Sequence, residues 1–217
     1  MTITKLEQQK KDISRFNLYV DDQFLVGISS NTLAKFNLYK GKELEQKALE
    51  EILNQELKQR FLDRAVNYLA RAPKTKFQLT RYLRDLQYKK KGQWFDEDAN
   101  IDFEKIFNEI VEHLEELKLL DDEKYSTLFV ESRIRNRPRG KFVLVSELIS
   151  KGVEKEIAKK VCEELIEDEY DILKKTFQKR YKDESLDLSE RKKVAYLQRK
   201  GFSYDLIKKF ANSEFTE

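Results

Sequence analysis

A short basic turn occurs twice in this sequence, and its spacing constrains the fold more than any other feature. The segment PKTKF at residues 73–77 returns 65 residues later as PRGKF at residues 138–142. Further along, LISKG at residues 148–152 is followed after 49 residues by LQRKG at residues 197–201. Periods of this size are typical of stacked helical units that share a continuous core. The sequence therefore predicts tandem helical repeats.

Each repeat is predicted to hold three helices: one before the basic turn, one after it, and one after a glycine. Apolar stripes at helical spacing support the third helix of two repeats; they are Ile106, Ile110, Leu114 and Leu117, and then Ile157, Val161 and Leu165. The spacing of 65 exceeds that of 49 by about 16 residues, which places an insertion at residues 88–104. The predicted repeats span 61–120, 121–168 and 169–217.

Residues 1–60 are predicted to form a small α+β cap on this helical body. Within the cap, residues 15–28 alternate apolar and polar side chains on both sides of residues 21–22, which is typical of a β-hairpin. Ser30 or Asn31 is the predicted N-cap of a short helix that follows. The rest of the cap has helical spacing, which fits either two helices or one bent helix.

The composition favours a mainly α-helical protein and restricts its class. The chain has 38% charged residues, 6 Gly and 2 Pro, which leaves few turn residues for an all-β fold. A net charge of +3 does not suggest a protein that coats DNA through bulk charge. The single cysteine excludes an internal disulfide. Because no apolar run resembles a secretory signal or a membrane span, a cytoplasmic protein with no membrane partner is expected.

Enzyme chemistry finds little support, and no cofactor is predicted. His113, the only histidine, stands among glutamates on a predicted helix, where a solvated side chain is expected. Cys162 has no plausible nearby base and is expected to be a small core side chain rather than a nucleophile. No Gly-rich phosphate loop is present. The protein is therefore predicted not to be an enzyme.

Charges of opposite sign occupy different segments. Residues 64–91 carry nine Lys or Arg and one acid, residues 96–124 carry twelve acids and three lysines, and residues 174–182 and 191–200 are basic again. The segment 133–141 carries five cations and no acid: Arg133, Arg135, Arg137, Arg139 and Lys141. Arginine near a helix C-terminus interacts favourably with the helix dipole, but five unpaired cations exceed that need.

This cluster predicts a contact with an acidic protein surface or with phosphates. Cations at equivalent places in the other repeats extend the predicted site; they are Lys74, Lys76, Arg81, Arg199 and Lys200. Two helices joined by a tight turn are also typical of helix-turn-helix DNA readers, although the acidic third helix of each repeat disfavours a long DNA-facing stripe. Trp94 and Phe95, in the insertion, either pack on their own repeat, which is the favoured interpretation, or touch a partner.

With these features in view, the chain resembles the RecX family, whose members regulate the recombinase RecA. The resemblance covers about residues 15–210 and is carried by LLDDEKY at residues 119–125, the Arg-Pro-Arg turn at 137–139 and QRKGF at residues 198–202. The family's first turn usually reads Arg-Pro-Arg/Lys-Ser, whereas this chain has APKT at residues 72–75. The insertion is a second departure from the family pattern.

The resemblance implies an elongated, curved helical protein that lies in the groove of the RecA filament on single-stranded DNA. It implies inhibition of the ATPase, strand exchange and coprotease activities, and so a role in homologous recombination, DNA repair and the SOS response. Single-stranded DNA is a second candidate partner, and a monomer is expected. The alternative is a helical DNA-binding module that acts on recombination indirectly; its sign would be tight, salt-sensitive binding to DNA alone.

Overall fold

The computed structural model describes residues 1–95, 101–182 and 184–213 of the chain. Three strands come first: β1 (Ile3–Gln8), β2 (Arg15–Val20) and β3 (Gln23–Ser29). Ten helices follow in the described ranges: α1 (Ser30–Lys35), α2 (Gln46–Leu69), α3 (Lys76–Lys90), α4 (Phe103–Glu116), α5 (Asp122–Asn136), α6 (Lys141–Ser150), α7 (Lys155–Leu165), α8 (Glu169–Tyr181), α9 (Arg191–Arg199) and α10 (Tyr204–Ser213). The predicted fold class, mainly helical with a small N-terminal sheet, is confirmed. Residues 96–100 of the predicted insertion lie outside the described residues.

The chain forms two compact units. Unit 1 holds Met1–Ala72 and Arg81–Leu114, and unit 2 holds Pro73–Thr80 and Glu115–Glu217. The cap boundary predicted at residue 60 falls inside α2, which is one continuous helix of 24 residues. The division into a cap and three repeats stays a prediction.

The N-terminal sheet has the order β1-β2-β3, and both strand pairs are antiparallel. Strands β2 and β3 form the predicted hairpin, with Asp21 and Asp22 at its tip. Both aspartates have positive φ, 48° and 64°, as a type I′ turn requires. The Ser29 side chain caps α1 by accepting a backbone N–H three residues on at 3.1 Å. The predicted caps, Ser30 or Asn31, are therefore wrong.

A buried carboxylate ties the sheet to α2 in unit 1. The Glu56 side chain is 1% exposed and accepts hydrogen bonds from the Ser29 N–H at 2.8 Å and the Thr32 hydroxyl at 3.1 Å. It also pairs with Arg15 on β2 and with Arg60 one turn further along α2. The buried charge is thus compensated by both ion pairs and hydrogen bonds, which a buried charge needs.

The favoured interpretation of Trp94 and Phe95, packing within their own repeat, is confirmed. The Trp94 ring meets Phe61 edge-on at 5.4 Å between centroids, and Phe95 lies 4.7 Å from Phe103. Phe61 is fully buried and also contacts Phe107 edge-on. The described part of the insertion is therefore attached to the core of unit 1.

Unit 2 contains two three-helix groups, α5–α7 and α8–α10, around one apolar core. Asp121 and Asp168 cap the first helix of each group, accepting backbone N–H groups at 2.9 Å and 2.8 Å. Leu148 and Phe177 are among the fully buried residues of the shared core. The apolar stripe predicted for α4 is wrong at Leu117, which lies beyond the end of that helix and is 54% exposed.

A hydrogen bond to a backbone carbonyl joins equivalent positions twice inside unit 2. The Thr75 hydroxyl donates to the Lys151 carbonyl at 2.7 Å. At the corresponding place, 65 and 49 residues on, the Gly140 N–H donates to the Lys200 carbonyl at 2.8 Å. The turn before α3 therefore contacts the C-terminal end of α6. In the same way, the turn before α6 contacts the C-terminal end of α9.

An acidic side chain completes each junction. The Lys76 N–H at the start of α3 donates to the Asp122 carboxylate at 2.9 Å, and the Lys141 N–H at the start of α6 donates to the Glu169 carboxylate at 2.6 Å. Each acid opens the following three-helix group, and each satisfies an N–H that has no partner within its own helix. Burial raises the pKa of Asp122 above its usual range.

Candidate anion-binding groove

A groove of about 560 Å³ in unit 2 collects cations from three segments of the chain. The segments are the turn after α5, the C-terminal half of α8 and the end of α9. The lining residues are Asn136, Arg137, Pro138, Arg139, Thr176, Lys179, Arg180, Tyr196 and Lys200. Five of them are Lys or Arg and none is acidic. The groove is therefore strongly positive and suited to an anion.

The end of α5 and the repeat junction position the turn. Helix α5 ends at Asn136, and its C-cap Arg137, which precedes a proline, leaves the helical conformation with φ −143° and ψ 69°. The Gly140 N–H then joins the turn to the Lys200 carbonyl at 2.8 Å. From α8, the Lys179 Nζ donates to the Asn136 carbonyl at 3.2 Å, which satisfies one of the open carbonyls at the end of α5.

The groove is short of negative charge. Within the ranges described, Arg137 and Arg180 have no ion pair with any acid, and the Arg139 Nε is buried with no hydrogen-bond partner. Burial lowers the pKa of Lys200, and the neighbouring cations, first of all Arg139, lower it further. Since burial and neighbouring cations disfavour the charged form of Lys200, a bound anion would stabilise that charge.

Tyr196 forms an aromatic wall on which two of the cations rest. The Arg180 guanidinium lies 4.4 Å from the Tyr196 ring centroid, and the Lys200 Nζ lies 5.3 Å from it. Tyr181 meets the same ring edge-on at 5.7 Å. Cation–π contacts hold charged groups without neutralising them, so both cations stay available to a ligand.

Three of the ten predicted site residues line this groove: Arg137, Arg139 and Lys200. Arg135 is exposed on the last turn of α5, outside the groove lining. Lys141 is the first residue of α6 and is half-buried. The structure thus divides the predicted 133–141 cluster, and only part of it forms a concave site.

The prediction that these cations are unpaired is wrong for Arg133 and Lys76. The Arg133 Nε donates to the Glu147 carboxylate at 2.8 Å, and its guanidinium lies 4.8 Å from the Phe129 ring centroid. The Lys76 Nζ lies 2.5 Å from the Glu115 carboxylate, and this hydrogen bond raises the pKa of Lys76. Both side chains have structural partners within unit 2.

The other predicted residues lie elsewhere. Lys74 is half-buried in the turn before α3, and Arg81 is exposed on α3 in the part that belongs to unit 1. Arg199 is exposed at the end of α9 and lines a second concavity with Arg191 and Lys192. Their part in binding stays a prediction.

Sequence reasoning missed Lys179 and Arg180 as site residues. Both belong to the basic segment 174–182, so the signal was present as a run of charge. What the run does not reveal is which of its cations faces the Arg-Pro-Arg turn of the preceding repeat. That pairing depends on the junction between repeats, which no local pattern encodes.

The described residues offer little for thiol or metal chemistry. Cys162 is buried, and burial raises its pKa to about 11, so the nucleophilic thiolate is scarce at neutral pH. His113 is an exposed residue of α4, as predicted. In the described ranges, no group of three or more His, Cys, Asp or Glu side chains could hold a metal ion. No helix in those ranges combines the length and the apolar character needed to cross a membrane.

Comparisons with known proteins match this architecture. Family models match at residues 1–45 (regulatory protein RecX N-terminal domain), 121–161 (RecX, second three-helix domain) and 167–210 (RecX, third three-helix domain). A regulatory protein RecX of Clostridioides difficile (strain 630) is 29% identical over 97% of this chain and 94% of its own length. A regulatory protein RecX of Bacillus subtilis (strain 168) is 30% identical over 99% of this chain and 80% of its own length.

Solved structures share the fold. A crystal structure of regulatory protein RecX covers 97% of this chain and 98% of its own chain, with a TM-score of 0.75 and 23% identity. A crystal structure of RecX from Lactobacillus salivarius covers 73% of this chain and 97% of its own, with a TM-score of 0.55 and 23% identity. An N-terminal sheet followed by three-helix groups thus defines a class of helical-repeat regulatory proteins. Within that class, the chain belongs to the RecX family.

Proposed function

We propose that this protein regulates a RecA recombinase by binding the recombinase filament on single-stranded DNA. Binding hinders filament growth or promotes disassembly, and so inhibits the ATPase, strand exchange and coprotease activities. Family membership supports the regulatory role. The observation that carries the proposal is the groove of five cations with no acid among its lining residues, because such a surface fits an acidic partner.

The proposed action is non-enzymatic and electrostatic. The groove is one contact, and exposed cations such as Arg135 and Arg199 supply further weak contacts on a polymer of identical subunits. Several weak contacts to one polymer multiply, so a monomer can act below the stoichiometry of the recombinase. Charge complementarity sets orientation and on-rate. The setting is the cytoplasm, where recombinational DNA repair takes place.

The test is the single-stranded-DNA-dependent ATPase of RecA, measured as this protein is added at a small fraction of the recombinase. A double charge reversal, Arg135→Glu with Arg137→Glu, should raise the concentration for half-inhibition at least about tenfold, because it places repulsion at the contact. The matched control is a double reversal on α8, Lys174→Glu with Lys175→Glu, at two exposed cations outside the groove lining. It should inhibit nearly as well as the wild type, and both variants should keep the wild-type circular dichroism.

Two results would count against the proposal. If the double reversal inhibits as strongly as the wild type, the central contact lies elsewhere. If the wild type does not inhibit but binds bare DNA tightly and with strong salt dependence, the protein is a DNA-binding module that acts indirectly.

A further inference from the structure

We infer that the outward face of α6 is an apolar docking site for an amphipathic helix of a partner protein. The helix that fits has apolar side chains on one face and acidic side chains beside them. The inference goes beyond the proposed function, whose contacts are cationic, because this face carries no charge. It can be measured on this protein with a model helix.

The outward face lies directly opposite the buried side of α6. Leu144 and Leu148 belong to the core of unit 2 and are fully buried. Phe142, Ser146 and Ile149 lie on the other side of the helix, because residues four and seven apart share a face. Phe142 is 76% exposed and Ile149 is 42% exposed. Since a helix that is apolar on both sides is usually buried on both sides, this exposed face points to a partner.

The serines of α6 add little polarity to this face. The Ser146 hydroxyl donates to the Phe142 carbonyl at 2.9 Å, and the Ser150 hydroxyl donates to the Glu147 carbonyl at 2.7 Å. Each hydroxyl hydrogen is thus bonded within the same helix rather than directed toward solvent. The half-buried Val145 flanks the exposed positions. The outward face of α6 therefore presents mainly carbon to the solvent.

The same positions are mostly polar in the other repeats. Ile149 corresponds to Arg84 on α3, 65 residues earlier, and to Gln198 on α9, 49 residues later. Phe142 corresponds to Arg191 on α9. All three polar residues are exposed. The repeat therefore does not require apolar residues at these positions, and their presence on α6 indicates a function of this one helix.

Phe77, at the start of α3, adds exposed apolar surface at the C-terminal end of α6. It is 51% exposed and belongs to unit 2. Its side chain lies against Gly152, where an added Cβ would be 2.1 Å from the Phe77 Cβ. The Gly152 N–H in turn donates to the Ile149 carbonyl at 2.9 Å. The apolar surface is therefore not confined to α6 itself.

The size of the face argues for a single helix and against a stable pair of copies of this chain. Helix α6 has 10 residues and is therefore about 15 Å long. With a width of about 10 Å, its outward face covers about 150 Å². A stable dimer buries about 800 Å² on each partner. One helix, packed with its axis about 8–10 Å from that of α6, covers the face.

Lysines at both ends of α6 determine the charge of the partner. Lys141 is the first residue of the helix and Lys151 is its C-cap. The one acid of α6, Glu147, is paired with Arg133 at 2.8 Å. The ends of the face are therefore positive and its middle is apolar. A helix with apolar residues at i, i+3 or i+4, and i+7 and with acids beside them is complementary in both respects.

The probe is a fluorescein-labelled model peptide of about 18 residues, long enough to be helical by itself, with leucines on one face and glutamates elsewhere. Fluorescence anisotropy measures its binding to the full chain. Phe142→Ala with Ile149→Ala should weaken binding at least about tenfold, because central apolar contacts carry most of the affinity. The matched control, Leu128→Ala with Tyr204→Ala, truncates two exposed side chains of unit 2 outside the face. It should change binding less than about twofold.

Two further peptides determine what is recognised. A peptide of the same composition with its leucines spread around the helix should bind at least about tenfold more weakly, and so should a peptide with lysine in place of glutamate. If the scrambled peptide binds as tightly as the first, general attraction to cations explains the binding and the inference is wrong. Equal binding by the double variant and the wild type leads to the same conclusion.

Sedimentation tests the other occupant. A concentration-dependent dimer of the wild type that is lost in Phe142→Ala with Ile149→Ala would assign the face to a second copy of this chain and overturn the inference. A monomer at all concentrations agrees with the small area of the face.

A measurement on the wild type does not depend on the folding of any variant. The acidic peptide should shift the NMR methyl resonances of Val145 and Ile149 and leave those of Val130, which is fully buried in the core, unchanged. Binding without shifts at Val145 and Ile149 would overturn the inference. None of these measurements involves RecA, so their outcome is independent of the proposed function.

Discussion

Replacing Gly140 with alanine should test the repeat junction directly. Gly140 has φ −69°, so alanine adopts this backbone without strain. A Cβ at this position, however, would lie 2.5 Å from the Gly201 carbonyl carbon, with the carbonyl oxygen nearer still. Ordinary carbon–carbon contacts are about 3.5–4.0 Å, so the two backbones must separate by about 1 Å. That shift stretches the 2.8 Å bond from the Gly140 N–H to the Lys200 carbonyl beyond hydrogen-bond distance.

The expected cost is about 2–4 kcal/mol, from overpacking of about 1–3 kcal/mol and a lost hydrogen bond of about 1 kcal/mol. With a urea m-value of about 2 kcal/mol/M, the unfolding midpoint of unit 2 should fall by about 1–2 M. Far-UV circular dichroism follows both units, while the fluorescence of Trp94, the only tryptophan, follows unit 1. Lys159→Ala is the control, because it introduces alanine at an exposed position of α7 in the same unit and should leave the midpoint nearly unchanged. An unchanged circular dichroism midpoint for Gly140→Ala would refute the reasoning.

Substitutions at three further positions have expected outcomes. Glu56→Ala should lower the free energy of unfolding by about 3–5 kcal/mol, since it removes the buried partner of two arginines. Urea unfolding followed by Trp94 fluorescence measures this free energy. A loss below about 1 kcal/mol would contradict the prediction. The raised pKa of Asp122 means that its carboxylate costs stability at neutral pH and that the cost disappears as pH falls through that pKa. Asp122→Asn, which keeps the acceptor for Lys76, should therefore be at least as stable as the wild type at neutral pH, whereas Asp122→Ala should lose about 1 kcal/mol of its unfolding free energy. Because the pKa of Lys200 is lowered in the folded protein, its positive charge opposes folding at pH values below that pKa. Lys200→Met should therefore raise the thermal midpoint of unfolding at neutral pH. The difference in midpoint between this variant and the wild type should shrink as pH rises through the pKa of Lys200.

The repeat architecture could be predicted because it rests on local patterns. The recurrence of residues 73–77 at 138–142, together with apolar stripes, predicts helices and turns directly from spacing. The hairpin at 15–28 follows from alternation with a period of two. Strand β1 was missed because only Ile3 and Leu6 are apolar in its ITKLEQ sequence, and its pairing with β2 is a tertiary choice.

The groove could be predicted only in part. Arg137 and Arg139 stand out in the sequence as unbalanced charge, and so does Lys200. Their meeting with Lys179 and Arg180 depends on the Gly140–Lys200 junction, which joins residues 60 apart along the chain. Conversely, Arg133 carries the same local signal, yet Glu147, one helix further on, pairs with it. Charge patterns identify candidates, and only tertiary contacts decide which of them are available.

The junction inside unit 2 also has a direction. Thr75 rests on the end of α6 and Gly140 on the end of α9, so each repeat uses one surface toward its successor and a different surface toward its predecessor. Head-to-tail contacts of this kind are heterologous and do not close on themselves. Ser189 is the position 49 residues after Gly140, before the second helix of the α8–α10 group. Duplication of a segment of this length would therefore lengthen the array without redesigning any interface, which makes the number of repeats a variable that evolution can change in single steps.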